Sequence, residues 1–336
     1  MSTTRRFGAS EGKDVQEITL ESDLASIAIL NYGCAIRDWR VDGDGRSVPC
    51  VLGFNEMDHY LNVAKSHGAI CGRVANRIGN SKFAIRGETF NLPPNEGAHQ
   101  LHGGSKGLHT RVWNMEADGN HGVEFSYHSP EGEMGYPGSV DFRVTMRLEG
   151  STLTMEMFGR PSRETPISLA QHNYYNLNGE GDVLGQVLEI DADMYTPTDD
   201  ELIPTGAMLP IGGTHMDFRT AVLVGERDHN QQGIDANLVV RSGRNPDKPL
   251  ASLWSEDTGL ELKLWSEQPG IQVFNGPKMD VSVPGHDGVH YGAFGGLCLE
   301  PQKFPDAINK VDWSSPICTP EKPYYQKLVL DISAMY

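Results

Sequence analysis

An all-β fold, a large antiparallel β-sandwich with few short helices, is the class this sequence predicts, and three observations predict it. Apolar and polar residues alternate at period two in several segments. The 336-residue chain holds 38 glycines and 20 prolines, enough to close many tight turns between short strands. No segment carries a sustained apolar stripe of period 3.6. Taken in chain order, residues 55–61 are the clearest helical signal, with Asn55 as the expected cap and Glu56 and Asp58 in the first turn. Residues 83–86 alternate as a strand. In residues 140–148 every second residue is apolar, Glu149-Gly150 offers a turn, and Leu153, Met155 and Met157 then alternate with Thr152, Thr154 and Glu156, which reads as a hairpin with one wet face. Residues 245–249 suit a surface loop, and residues 260–264 alternate again. Leu297, Cys298 and Leu299 read as a short buried strand that Pro301, lacking a backbone donor, should end directly after Glu300. Residues 329–332 resemble a closing strand. No linker, repeat or charge block divides the chain, so a single domain over residues 1–336 is expected.

The formal charge of −17 argues against nucleic acid or an anionic membrane as partner, since both require clustered positive potential; a neutral small molecule is easier to accommodate. The start, Met1-Ser2-Thr3-Thr4-Arg5-Arg6, has no apolar run, and no stretch reaches transmembrane length, so a soluble, cytoplasmic protein is expected. Its five cysteines, Cys34, Cys50, Cys71, Cys298 and Cys318, are scattered and mostly set in apolar sequence, as reduced core thiols would be. Acidity sets no oligomeric state.

Three segments carry candidate chemistry. In Gly295-Gly296-Leu297-Cys298-Leu299-Glu300-Pro301-Gln302-Lys303-Phe304-Pro305-Asp306-Ala307-Ile308-Asn309, one carboxylate leaves an apolar strand half desolvated. Desolvation raises a carboxyl pKa and makes Glu300 a useful general base, while burial among donors would make it a structural acid; the residues alone leave both open. In Gln171-His172-Asn173-Tyr174-Tyr175-Asn176-Leu177-Asn178-Gly179, a histidine beside two tyrosines and several amides suits a wall for a hydroxyl-rich ligand, or a core histidine bonded to backbone. In Gly72-Arg73-Val74-Ala75-Asn76-Arg77-Ile78 and Gln100-Leu101-His102-Gly103-Gly104, an amide and a guanidinium fork suit several hydroxyls around a ring.

Together with Tyr195-Thr196-Pro197-Thr198 and Leu202-Ile203-Pro204-Thr205-Gly206, these segments resemble the galactose mutarotase (aldose 1-epimerase) family, in the family's order and over nearly the whole chain. The resemblance implies the galactose mutarotase-like supersandwich and activity on a free monosaccharide without cofactor or metal. It implies Glu300 as general base and His172 as general acid, with Asn76, Arg77, His102, Asp235 and Gln272 as substrate contacts. Two positions depart from the family pattern: Gln171 stands where an asparagine usually precedes the histidine, and Ala236 separates Asp235 from Asn237.

Ring opening of a pyranose needs an acceptor for the anomeric hydroxyl proton and a donor to the ring oxygen, which Glu300 and protonated His172 would supply, a nearby carboxylate helping to keep the histidine charged. Rival readings are a non-catalytic carbohydrate-binding or sugar-sensing module, a sugar-phosphate epimerase, which would need cations beyond Arg73 and Arg77, and a glycosidase pairing Glu300 with Asp235 or Asp306. Gly103-Gly104-Ser105-Lys106-Gly107 lacks P-loop spacing and reads as a loop over the site. His99 with His102, or His286 with His290, has metal-pair spacing but no third ligand.

Overall fold

The computed structural model describes residues 2–43, 45–64 and 66–335. The predicted hairpin is its backbone: Val140–Glu149 pairs with Thr152–Pro161 in unbroken antiparallel register from Val140 opposite Pro161 to Glu149 opposite Thr152. Tyr324–Ala334 adds on the far side of Thr152–Pro161, and Leu260–Ser266 on the far side of that. These four strands sit within a nine-stranded sheet. Their alternation is realised in burial, since Phe142, Val144, Met146, Leu153, Met155, Leu262, Leu264, Leu328 and Leu330 all face the core while Asp141, Arg143 and Glu156 do not.

A five-stranded meander, Thr3–Ser10, Lys13–Glu21, Ala25–Leu30, Ile36–Gly43 and Arg46–Pro49, supplies a second layer. Ile27 and Trp39 from this layer, Val144 and Met155 from the nine-stranded sheet, and Leu238 and Ile271 from a further five-stranded sheet belong to one apolar cluster, so the inner faces of three antiparallel sheets share a core. Among the described residues the α-helices are two short ones, Met57–Asn62 and Val224–Arg227. Residues 245–249 lie in an exposed loop, as their composition suggested.

The further five-stranded sheet positions the site. Its order is Leu209–Pro210, Ala192–Tyr195, Asp235–Val240, Gly270–Phe274, Cys298–Gln302, all neighbours antiparallel. Ala236, Leu238, Ile271, Val273 and Leu299 face the core. The residues between them, Asp235, Asn237, Gln272, Phe274, Cys298 and Glu300, therefore share the opposite face.

Two local expectations are corrected. The last strand does not end after Glu300: it continues with Pro301 opposite Ile271 and Gln302 opposite Gly270. Proline is tolerated because this is the edge strand and the Pro301 carbonyl, with its nitrogen on the same side, points outward, where it accepts from Gln326 Nε2 at 2.9 Å. The first helix is not capped by Asn55: Glu56 holds the cap position without a side-chain bond, and Asn55 Oδ1 instead accepts from Arg37 Nη1 at 3.2 Å.

Leu299 is the core-side neighbour of Glu300. Leu299→Ala should cost about 2–5 kcal/mol in urea unfolding, the usual range for a buried leucine truncation; a cost indistinguishable from zero would contradict this packing.

Candidate active site

Register across three strands builds one wall of the site. Asn237 lies opposite Gln272 and Gln272 opposite Glu300, while Asp235 lies opposite Phe274 and Phe274 opposite Cys298. A second wall is tied on by a bridge between Tyr175 and Leu297, whose backbone N–H groups each donate to the other's carbonyl at 2.9 Å. That bridge brings His172 and Tyr174 beside Cys298 and Glu300. His172 is anchored further by its own N–H on the Ala69 carbonyl, 2.9 Å, and by Gly68 N–H on its carbonyl, 2.8 Å. The third wall comes from the pairing of Arg77–Ile78 with Gln100–Leu101. His102 N–H donates to the Asn76 carbonyl at 2.9 Å, and Asn76 N–H donates to His102 Nδ1 at 3.2 Å.

The three walls enclose a cleft of about 220 Å³ lined by Ser66, Asn76, Arg77, Leu101, His102, His172, Tyr174, Asp235, Gln272, Phe274 and Glu300. All seven residues singled out from the sequence lie on it. Larger surface grooves exist, such as one of about 390 Å³ whose arginines are already held by carboxylates, Arg86 by Glu164 at 2.6 Å and Arg163 by Glu88 at 3.1 Å. In the cleft, His172 Nε2 is 3.7 Å from Glu300 Oε1. Of the residues not singled out, Phe274 was reachable by counting two along the strand from Gln272; Ser66 and Leu101 carry no local signal.

Several neighbours prove structural. Arg73 is buried and spends its guanidinium on oxygens of Ser129, Pro130, Pro137 and Gly138. Gln171 turns inward, donating to the Gly68 carbonyl at 3.2 Å and accepting from Asn173 N–H at 3.3 Å, so this departure from the family pattern does not reach the cleft. Ala236 is part of the apolar core, and Asn237 takes the next place on the site face. The amides beyond Tyr174 are no ligand wall: Asn173 donates to Tyr175 Oη, and Asn176 Nδ2 donates to the carbonyls of Glu180, Gly181 and Gly295. Asp306 accepts from Gly79 N–H and Asn309 Nδ2 and pairs with Lys310 at 3.1 Å, away from the lining. The glycine loop is a tight turn laid on Gly72, where Gly103, at φ +80°, would place any Cβ 1.9 Å from the Gly72 carbonyl oxygen.

Burial dominates the electrostatics. It pushes the Glu300 carboxyl well above the usual glutamate range, and the charge of Asp235 adds to the rise. Asp235, although its surface stays open to solvent, is itself raised by desolvation among the packed strands, opposed by Arg77 and by Gln272, whose Nε2 donates to its Oδ1 at 2.5 Å. Burial brings His172 down to about 4, opposed by its own carbonyl. The expected support from a nearby carboxylate is thus outweighed by desolvation of the ring. His102 is driven well below its ordinary value, first by burial and then by His172, and its Nδ1 accepts from a backbone N–H, so its Nε2–H is free to donate. Gln272 Oε1 has no partner among the described residues, which leaves a buried acceptor for a hydroxyl. Arg77 holds Glu96 in a two-pronged ion pair at 2.5 and 2.9 Å.

Donor atoms of His172, Cys298 and Glu300 lie within 4.8 Å of one another, close enough to ask about a metal. The imidazole stands between the other two: Cys298 Sγ is 3.6 Å from Nδ1, while the carboxylate faces Nε2. Burial, however, keeps the thiol protonated and raises the carboxyl, so the group offers no ready anionic ligand and fits a metal site poorly. The histidine pairs suggested by spacing are separately engaged, His99 Nδ1 accepting from Asn80 N–H and His286 Nε2 meeting the Arg37 carbonyl.

His67 and His109 are also buried and lowered, to about 3 and about 4. A histidine near 6.5 when unfolded and lower when folded binds its proton first in the unfolded chain, so stability is full above about pH 6.5 and is lost as pH falls through the folded values. Urea midpoints should therefore fall below about pH 6.5, and fall less steeply in His109→Gln. The raised Glu300 works in the other sense, costing stability as pH rises, so Glu300→Gln should unfold at no lower urea concentration in mildly alkaline buffer.

Residues 16–331 match the family described as aldose 1-epimerase. The chain is 36% identical over 332 residues to galactose mutarotase of Rattus norvegicus, covering 96% of each. It is 30% identical over 320 residues to aldose 1-epimerase of Escherichia coli (strain K12), covering 92% of each. The solved structure of a GalM/aldose epimerase homologue from C. elegans superposes with a TM-score of 0.90 at 29% identity, over 95% of this chain and 99% of that one. With a match that runs almost end to end and takes in every strand of the cleft, the chain belongs to the aldose 1-epimerase family.

Proposed function

We propose that this protein is a cofactor-independent isomerase that interconverts the α and β anomers of a free aldose such as galactose or glucose, with Glu300 as general base and His172 as general acid. The observation that carries the reading is the pair itself, Nε2 and Oε1 3.7 Å apart on a cleft whose lining also includes amides, a guanidinium, aromatic faces and the Asp235 carboxyl. Two oxygens bonded to one anomeric carbon can be addressed together by two such groups.

Glu300 takes the proton of the anomeric hydroxyl, the electrons of that O–H bond form the carbonyl, the bond from C1 to the ring oxygen breaks, and His172 gives its Nε2 proton to the departing ring oxygen. The open aldehyde turns about C1–C2. Attack of the same hydroxyl on the other carbonyl face, with both proton transfers reversed, closes the opposite anomer and restores the pair. Asn76, Arg77, Asp235, Gln272 and His102 Nε2–H hold the remaining hydroxyls.

The pair needs a single proton. Burial stores it on Glu300 in the empty cleft, and the isomeric arrangement, carboxylate with imidazolium, has the same net charge. Sugar hydroxyls donating to the carboxylate favour its ionised form and so move the proton to His172. Each positioned transfer contributes roughly 10²–10⁴-fold.

A sugar phosphate is disfavoured because Arg77, already paired with Glu96, is the only cation on the lining among the described residues, and Arg73 is turned away. A glycosidase pairing with Asp306 is disfavoured by that residue's bonds to Gly79 and Asn309. Cytoplasmic residence belongs to the same proposal and rests on five unpaired, buried cysteines; among the described residues no helix is long and apolar enough to cross a membrane. A single domain is likewise proposed, on the apolar cluster shared by three sheets.

Anomeric exchange of fresh α-galactose or α-glucose, followed by polarimetry or NMR, tests the reading. Glu300→Gln and His172→Asn should each lose at least about 10²-fold with the fold intact. Wild-type exchange no faster than buffer across free aldoses would reduce the protein to a binding module, and aglycone release from a glycoside would favour hydrolysis.

The wild-type kcat/KM profile should have two limbs. It should fall below about pH 4, where the pair takes up a second proton, and fall again only above the usual glutamate range, where the last one leaves. A profile that shows the acid limb but no alkaline fall would contradict the shared-proton account.

A further inference from the structure

One group in the cleft wall is unused by the mechanism. Cys298 lies fully buried on the site face of the edge strand, two residues from Glu300, with its sulfur 3.6 Å from His172 Nδ1. It does not line the cleft. The two ring nitrogens of His172 thus have different neighbours, sulfur at Nδ1 and the Glu300 carboxyl at Nε2.

The proposed reaction makes a demand on that ring. Whether His172 begins as imidazolium and donates from Nε2, or begins neutral and accepts there, the nitrogen that does not exchange must keep its proton throughout. A neutral imidazole protonated on Nε2 would have nothing to accept with at that atom, and could donate only by becoming an anion. The working tautomer is therefore Nδ1–H, and an Nδ1–H turned into a dry wall needs an acceptor.

We propose that Cys298 is a positioning residue: its sulfur accepts the Nδ1–H of His172, holds the ring in that tautomer, and leaves Nε2 as the nitrogen that exchanges protons with substrate and Glu300. Sulfur is a weak acceptor, and the carbonyl that competes with it already accepts from Gly68 N–H at 2.8 Å. Burial keeps the thiol protonated, pushing it well above the ordinary cysteine range, so the wall gains no charge and the sulfur offers a lone pair without becoming a base or nucleophile of its own. Tyr174, whose hydroxyl lies beside the same sulfur, tilts its ring against the imidazole at 5.1 Å and limits its rotation. The other acceptor near the ring is the carbonyl of His172 itself.

This inference rests on the proposed proton-exchanging role of His172, so its test includes a readout that does not depend on turnover. Nitrogen NMR of histidine-labelled protein reports which nitrogen carries the proton. Wild type at neutral pH should show His172 as Nδ1–H. Cys298→Ala should admit the Nε2–H form and lower kcat by roughly tenfold, with KM changed less than about twofold. Cys298→Ser, which keeps a small acceptor in place, should retain the Nδ1–H form and recover kcat to within about threefold of wild type.

Three results would overturn the proposal. They are a wild-type ring protonated on Nε2, an unchanged tautomer and kcat in Cys298→Ala, which would leave the ring's own carbonyl as the sufficient acceptor, and a loss in Cys298→Ser as large as in Cys298→Ala, which would mark a packing effect. If the wild-type enzyme proves inactive on free aldoses the functional reading fails, and the tautomer is still measured.

Discussion

Side-chain alternation across three paired strands is the constraint on which the rest of this molecule depends. In Asp235–Val240, Gly270–Phe274 and Cys298–Gln302, one face is apolar and joins the main core while the other carries the acids and amides of the cleft. A slip of one residue would send Glu300 into the core and Leu299 into the cleft. Leu238, Ile271, Val273 and Leu299 make that slip costly, because each would give up its burial. The core therefore specifies the position of Glu300 more firmly than any polar contact does.

Burial that secures the register also sets the chemistry. Glu300 and His172 are each displaced toward their neutral forms, in opposite directions on the pH scale. An isolated carboxylate in such a wall would be destabilising, and an isolated imidazolium likewise; in the proposed mechanism they share one proton between two sites at little change in net charge. A group that must accept a proton in one half of a reaction and return it in the other works best when neither state is strongly preferred. Arg77, which Glu96 already balances, and the neutral His102 add hydrogen-bonding capacity to the cleft with little added charge, which suits an uncharged sugar.

Much of the fold was legible because alternation is a local pattern. The hairpin of Val140–Glu149 and Thr152–Pro161, and the later strands around residues 260–264 and 329–332, appear where the apolar period placed them. Pro301 does not end the ladder, because whether its missing donor matters depends on which strand lies beyond, and on an edge it does not. Asn55 misled because a side-chain amide suited to capping was claimed by Arg37 from another strand. Arg73 and Asn176 look as suitable for a sugar as Arg77 and Gln272 do, and only their partners separate them, backbone oxygens for the first two and the cleft for the others.

What this sequence determined by itself is the inventory and its local spacing: strands from period two, turns from glycine and proline, and the proton-handling groups Glu300 and His172 from their covalent chemistry and the motifs around them. Tertiary structure decided which of these groups meet. His172 and Glu300 are joined by the bridge between Tyr175 and Leu297, a pairing between distant segments that no local window contains. It also decided their proton affinities, since desolvation depends on every chain segment packed around a group. For the same reason the contact between Cys298 and one nitrogen of His172 is absent from any motif: two residues far apart in sequence become neighbours only when the sheet edge and the histidine segment close on each other.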